Sequence, residues 1–134
     1  MPVERAASKP LRILLVEDHA PTRLTLQHLL THRKFEVVAA ESATKAIELA
    51  QKQEFDLLVS DVGLPDRNGY ELMADLRGRH PHLPGIALSG YGMEQDIVRS
   101  REAGFVGHLT KPVTFRTLEK VIESVCADSS EEKR

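Results

Sequence analysis

The sequence predicts an α/β protein with one open, doubly wound parallel β-sheet and helices on both of its faces. Short apolar runs rich in Leu, Val and Ile alternate five times with longer stretches of helical apolar spacing, which is typical of this class. The length of 134 residues fits a single domain that can bury a core without disulfides. Polar residues follow four of the five apolar runs, at the sheet edge where such folds bind ligands.

The first half of the chain contains two strand–helix units. We predict strands over Leu11–Val16 and Phe35–Ala40, a first helix that begins near Pro21, and a second helix capped by Ser42. The apolar faces of these two helices comprise Leu26, Leu29 and Leu30, followed by Ala43, Ala46, Ile47 and Ala50. Both helices can therefore bury one side against the sheet.

The second half contains three further units. The strands are predicted over Phe55–Ser60, Pro84–Leu88 and Phe105–Leu109. The helices are predicted around Tyr70, Met73 and Leu76, over Met93–Ala103 with Gly104 as its end, and after Thr114 around Leu118, Val121, Ile122 and Val125. We expect the folded unit to span residues 10–126 between flexible segments 1–9 and 127–134.

The composition excludes several classes of function. A net charge of −2 and 4% aromatic residues do not favour nucleic acid as a direct ligand. No apolar run approaches the roughly 18 residues that span a bilayer, and the chain start lacks the apolar stretch of a signal peptide. The lone Cys126 fits a reducing compartment, so we expect a cytoplasmic protein.

Residues whose side chains can react or bind a metal follow the predicted strands. Glu17 and Asp18 follow the first strand, Asp61 the third, Ser89 the fourth and Lys111 the fifth. Carboxylates brought together repel each other unless a cation intervenes, and oxygen ligands suit Mg²⁺. Asp61 stands alone at its strand end, so it is the best candidate for a nucleophile that accepts a phosphoryl group.

These residues resemble the receiver domains of two-component response regulators, most of all those attached to hybrid sensor histidine kinases. The matching motifs are Glu17-Asp18, the run from Asp61 to Gly69, Ser89-Gly90 and Lys111-Pro112. The resemblance to hybrid kinases rests on the runs from Ala87 to Gly92 and from Gly107 to Val113. The resemblance covers about Leu11 to Val125 and implies a flavodoxin-like fold with strand order 2-1-3-4-5.

The resemblance also implies a function and a set of roles. Asp61 would take a phosphoryl group from the phosphohistidine of a histidine kinase, with Lys111 paired to the acyl phosphate. The remaining roles implied are Mg²⁺ binding by Glu17, Asp18, Asp61 and the Gly63 carbonyl, switching by Ser89 and His108, tuning of the phosphoryl lifetime by Gly63 and Tyr91, and a cis peptide before Pro112.

Three positions depart from the family pattern. Glu17 stands where aspartate is commoner, Ser89 where threonine is frequent, and His108 where tyrosine or phenylalanine usually serves as the switch residue. The departures keep every functional group that the chemistry needs. The imidazole of His108 is smaller than a phenol, however, and it puts the usual coupling of the switch residue in question.

The expected protein is a self-phosphorylating and self-dephosphorylating switch rather than an enzyme with external substrates. Its expected partners are a histidine kinase or its phosphotransfer domain, a parent hybrid kinase or downstream effector, and a second copy in a weak homodimer. Neither nucleic acid nor a membrane is expected as a direct partner.

Other interpretations compete with this one. A phosphatase of the haloacid dehalogenase type would need an acid two residues after the nucleophile, where the sequence has Gly63. A decayed interaction module is disfavoured because the acidic, serine and lysine set is complete. Glu17-Asp18 alone could cap a helix. His28 and His32 at i, i+4 spacing are expected to be solvated, and His80-Pro81-His82 to form a loop.

Overall fold

The computed structural model describes residues 10–90 and 94–132. Its strands are β1 (Arg12–Val16), β2 (Glu36–Ala40), β3 (Leu57–Asp61), β4 (Gly85–Ser89) and β5 (Gly107–Thr110). Its helices are α1 (Ala20–His32), α2 (Ala43–Lys52), α3 (Gly69–Arg79), α4 (Glu94–Ala103) and α5 (Phe115–Glu132). The predicted alternation of strands and helices is confirmed.

The five strands form one parallel sheet in the order β2-β1-β3-β4-β5, as predicted. This order makes β1 and β3 neighbours at the centre, with Val16 paired to Ser60. The residues that follow these two positions, Glu17 and Asp61, therefore emerge side by side at the carboxyl edge. β5 lies at the border of the sheet next to β4.

The core has one layer on each face of the sheet. Successive residues of β1 point to opposite faces, so that Leu14 and Val16 pack in one cluster and Ile13 and Leu15 in the other. The first cluster includes Ala46 of α2, Met73 of α3 and Phe105 before β5, and the second includes Leu30 of α1 and Ile122 of α5. Burial on both faces explains why the strands read as continuous apolar runs.

The predicted helix boundaries are confirmed where a cap defines them. Ser42 Oγ accepts a hydrogen bond from Lys45 N–H at 3.1 Å, and Thr114 Oγ1 accepts one from Thr117 N–H at 3.2 Å. Gly104 ends α4 with φ of +117°, a backbone conformation that favours glycine. The cap of α1 is His19, so the reading of Glu17-Asp18 as a helix cap is wrong.

Two predicted boundaries fall near the ends of helices. The predicted start of α4 at Met93 lies outside the described residues, and the described helix begins at Glu94. α5 continues to Glu132, so its backbone passes the boundary predicted at residue 126. Among the helices of the described ranges, none combines the length and the apolar character that crossing a bilayer requires.

Candidate functional site

Three carboxylates meet at the carboxyl edge of the sheet. Glu17 and Asp18 directly follow β1, and Asp61 is the last residue of β3. One carboxylate oxygen of each residue lies within 4.8 Å of the others. The neighbouring positions of β1 and β3 thus bring together the acidic residues that the sequence analysis selected.

Glu17 is fully buried and is held at both carboxylate oxygens. Oε1 accepts a hydrogen bond from Lys111 Nζ at 3.1 Å, and Oε2 accepts one from His19 N–H at 3.1 Å. Burial, followed by repulsion from Asp61, raises the pKa of Glu17 above its ordinary value, although these two hydrogen bonds oppose the shift. The ionised form of Glu17 is therefore less favourable in this site than in water.

Lys111 bridges two of the three carboxylates. Its ammonium also donates to Asp61 Oδ2 at 3.0 Å, while Asp61 Oδ1 accepts from Gly63 N–H at 3.2 Å. Burial disfavours the charged ammonium, but the hydrogen bonds and attraction of Asp61 and Glu17 outweigh it and raise the pKa of Lys111. Lys111 is thus a fixed positive charge beside Asp61.

The acidic cluster can hold a divalent cation. The three carboxylates carry more negative charge than Lys111 neutralises, and Asp18 is exposed, which leaves a side open to solvent. An all-oxygen donor set suits a hard cation and leaves positions for water or phosphate oxygens. Within the described ranges, no other cluster of acidic, His or Cys side chains has spacing for a metal.

The loop after β3 is fixed by two residues whose roles the sequence analysis missed. Gly69 begins α3 against the backbone of Asp61, and a Cβ there would lie 2.5 Å from the Asp61 carbonyl oxygen. Asp66 accepts hydrogen bonds from the N–H groups of Ala43 and Thr44 at 3.0 and 2.8 Å. Gly69 thus packs directly against the backbone of Asp61, whereas Asp66 ties the loop after Asp61 to the start of α2. The Asn68-Gly69 step after a strand was the available signal for the first of these contacts.

The predicted switch residues lie on β4 and β5. Ser89 is buried at the end of β4, where its carbonyl accepts a hydrogen bond from Lys111 N–H at 2.6 Å. His108 is half-buried on β5, with Nδ1 2.8 Å from Ser100 Oγ of α4. Ser100 was not singled out from the sequence. The predicted lifetime-tuning residue Tyr91 lies outside the described residues, whereas Gly63 is exposed beside Asp61.

The other histidines and the cysteine lie away from this cluster. His28 and His32 are exposed on α1, as predicted. His80, His82 and Cys126 line a cleft of about 440 Å³ beside Leu11 and Pro84, the residues just before β1 and β4. Burial raises the pKa of the Cys126 thiol, which keeps it protonated and unreactive at neutral pH. The peptide before Pro112 is cis, as the resemblance implied.

A family model described as response regulator receiver domain matches residues 13–123. The chain is 35% identical over 107 residues to the response regulator protein FleR of Pseudomonas aeruginosa, a match that covers 80% of this chain and 23% of FleR. The chain thus spans about a quarter of the length of that relative.

Solved structures share the fold. A CheY-like response regulator receiver domain protein from Methanospirillum hungatei superposes with a TM-score of 0.88 at 27% identity, covering 92% of this chain and 99% of that one. The chemotaxis response regulator CheY4 of Vibrio cholerae gives 0.83 at 28% identity, covering 87% and 99%. The flavodoxin-like arrangement predicted from the sequence is confirmed.

Proposed function

Because the chain belongs to the response regulator receiver domain family, we propose that Asp61 accepts a phosphoryl group from the phosphohistidine of a histidine kinase or of its phosphotransfer domain. The observation that carries this proposal is the position of the Lys111 ammonium, which bonds to Asp61 and Glu17 inside the acidic cluster. Lys111 contacts both Glu17 and Asp61, and of these two Asp61 keeps some exposure, 7% against 0% for Glu17, so we assign Asp61 as the acceptor.

The transfer balances as a displacement at phosphorus. A carboxylate oxygen of Asp61 forms the new O–P bond while the P–N bond of the phosphohistidine breaks, and its electron pair leaves with the imidazole nitrogen. Apart from the Asp61 nucleophile, the protein contributes positioning and charge. Lys111 then pairs with an oxygen of the transferred group, since its Nζ already lies 3.0 Å from the Asp61 carboxylate.

Mg²⁺ is the proposed cation. Glu17, Asp18, Asp61 and the backbone carbonyl of Gly63 would hold it, directly or through water. When bound, it neutralises charge on the phosphoryl oxygens. The chain's own contribution is to collect these donors: the N–H of Gly63 orients Asp61, and the N–H of His19 orients Glu17.

The phosphoryl group is proposed to act as a switch. The added charge at Asp61 draws in the Ser89 hydroxyl, and His108 with α4, β5 and α5 moves between two packings. Gly63 and Tyr91 are proposed to set the lifetime of the phosphoryl group. The protein is proposed to dephosphorylate itself and not to turn over external substrates. A phosphatase of the haloacid dehalogenase type would need an acid two residues after Asp61, and this chain has Gly63 there.

The context of the domain is also part of the proposal. We place the receiver unit at residues 10–126, with the last turns of α5 continuing beyond it to Glu132. We propose a cytoplasmic receiver that resembles those of hybrid sensor kinases, either as a segment of such a kinase or as a single-domain regulator. Its partner would be the parent kinase or a downstream effector, with a weak homodimer as a further state.

The test is phosphorylation by acetyl phosphate with Mg²⁺, followed by intact mass. We expect one phosphoryl adduct on the native chain, none on Asp61→Asn, and a normal adduct on Asp75→Asn, which alters an exposed aspartate of α3. An adduct that persists in Asp61→Asn would place the acceptor elsewhere. If the native chain releases phosphate from an added phosphomonoester and Asp61→Asn does not, the phosphatase interpretation is favoured instead.

A further inference from the structure

The switch residue has an unusual set of contacts. His108 Nδ1 lies 2.8 Å from Ser100 Oγ, and Ser100 is 2% exposed on the inner side of α4. The other ring nitrogen, Nε2, is buried and has no hydrogen-bond partner among the described residues. Within the described part of the chain the ring therefore has a single polar contact, and that contact joins β5 to α4.

We propose that Ser100 is the positioning residue of the switch and that it holds the His108 ring against α4 in the tautomer with the proton on Nδ1. If the proton were on Nε2, a buried N–H donor would lack an acceptor among the residues that the structure describes. Orphaned N–H groups are rarer in protein interiors than under-satisfied acceptors. Nδ1–H therefore donates to Ser100 Oγ, and the buried Nε2 carries a lone pair.

The bond stabilises the packing of α4 on β5. Rotation of His108 away from α4 would leave the hydroxyl of buried Ser100 without this partner, which adds a cost to the movement. A tyrosine or phenylalanine at this position would not be held in the same way, because neither ring has a nitrogen that faces Ser100. The hydrogen bond to Ser100 thus restricts the orientation of the small His108 ring, which the size of a tyrosine or phenylalanine ring would restrict in the family pattern.

The consequence for signalling rests on the proposed function. Ser89 pairs with Thr110, and Ala87 with His108, so β4 connects the phosphoryl site to the held ring. If the hydrogen bond favours the unphosphorylated packing, its loss shifts the equilibrium towards the phosphorylated packing. A typical neutral hydrogen bond corresponds to a shift of roughly fivefold.

The first experiment needs no phosphorylation. Long-range ¹H–¹⁵N NMR of the full chain with labelled histidine reports the tautomer of each ring, and His108→Phe identifies the His108 signals by their disappearance. We expect the Nδ1–H tautomer in the native chain and loss of that preference in Ser100→Ala, while the exposed His28 and His32 stay unchanged. An Nε2–H tautomer in the native chain, or an unchanged His108 pattern in Ser100→Ala, would overturn the proposal.

The second experiment tests the coupling. Amide signals of α4 and β5 are recorded with and without the phosphoryl mimic beryllofluoride and Mg²⁺, for Ser100→Ala alone and in the His108→Phe background. We expect Ser100→Ala to move the unliganded signals towards the mimic-bound positions only when His108 is present. Equal displacement in both backgrounds would refute the coupling. If the mimic leaves the native signals unmoved, the proposed function fails, whereas the tautomer measurement still decides on Ser100.

Discussion

At the scale of single residues, Asp66 shows how a surface charge can order a site. Its carboxylate accepts hydrogen bonds from the first N–H groups of α2 and from the Thr44 hydroxyl. The Thr44 hydroxyl, followed by the backbone N–H groups, holds the pKa of Asp66 well below its ordinary range. This contact ties the loop that follows Asp61 to the N-terminus of α2.

We expect Asp66→Asn to lower the free energy of unfolding near neutral pH by about 1 kcal/mol, because an exposed carboxylate at a helix N-terminus contributes about that much. The pKa of the carboxyl is lower in the folded than in the unfolded state. Its contribution is thus complete above the unfolded pKa, and it is lost as the pH falls below about 4.

Urea unfolding of both proteins at several pH values measures this difference. The difference in unfolding free energy between them should begin to narrow as the pH falls through the unfolded pKa of about 4 and should continue to narrow towards the lower folded pKa. Glu48→Gln, which removes an exposed charge from the same helix, is the control and should show a smaller effect throughout. A gap that stays constant down to pH 3 would contradict the electrostatic origin.

We expect Gly69→Ala to displace the backbone of Asp61 and so to distort the site. The new Cβ would lie 2.5 Å from the Asp61 carbonyl oxygen and 2.9 Å from Val62 Cα, and these backbone atoms cannot give way without moving Asp61. We expect a loss of about 1–3 kcal/mol in unfolding free energy and slower phosphorylation by acetyl phosphate. Gly78→Ala is the matched control on the same helix, where a Cβ meets open space and should stabilise the protein. Similar behaviour of the two variants would contradict the steric explanation.

At the scale of elements, the end of α1 is closed by a Schellman motif with a lysine in the strained position. Phe35 N–H donates to the Leu30 carbonyl and Lys34 N–H to the Thr31 carbonyl, while Lys34 has φ of 76°. Lys34→Gly should therefore raise the free energy of unfolding by about 0.5–1 kcal/mol without changing the phosphorylation rate. Thermal or urea unfolding measures the gain. Lys34→Ala keeps the Cβ and should show no such gain, and a gain of equal size there would rule out strain relief.

The elements show what a sequence can and cannot predict. β1 and β3 were predictable because strands buried on both faces are apolar throughout, and α2 and α5 because their caps are local. The contact between Lys111 and Glu17 joins residues 94 positions apart and follows from the strand order, which the family resemblance supplied. Ser100 and Asp66 were missed because their partners, His108 and the N-terminus of α2, become neighbours only through tertiary packing.

At the scale of the whole molecule, the sheet concentrates unfavourable charge at its carboxyl edge. Repulsion and burial at Glu17 are costs of the fold, whereas the apolar clusters on both faces of the sheet stabilise it. A site that is costly without its cation is pre-organised to bind one. The stability of the protein should therefore depend on Mg²⁺ through the same residues that serve phosphoryl transfer.

Asp18→Asn separates the cost of charge repulsion from the stabilisation by Mg²⁺. Asp18 is exposed, and Lys111 contacts the other two carboxylates, so the substitution leaves the lysine contacts in place. Without Mg²⁺, relief of repulsion should leave the variant more stable than the native chain by up to about 1 kcal/mol. With Mg²⁺ at about 100 times its dissociation constant, the native chain should gain about 2.7 kcal/mol, and the variant less, so that the order reverses. Thermal unfolding with EDTA and with Mg²⁺ measures this reversal, and Glu48→Gln should gain as much as the native chain. Equal gains in Asp18→Asn would show that the cation binds without Asp18.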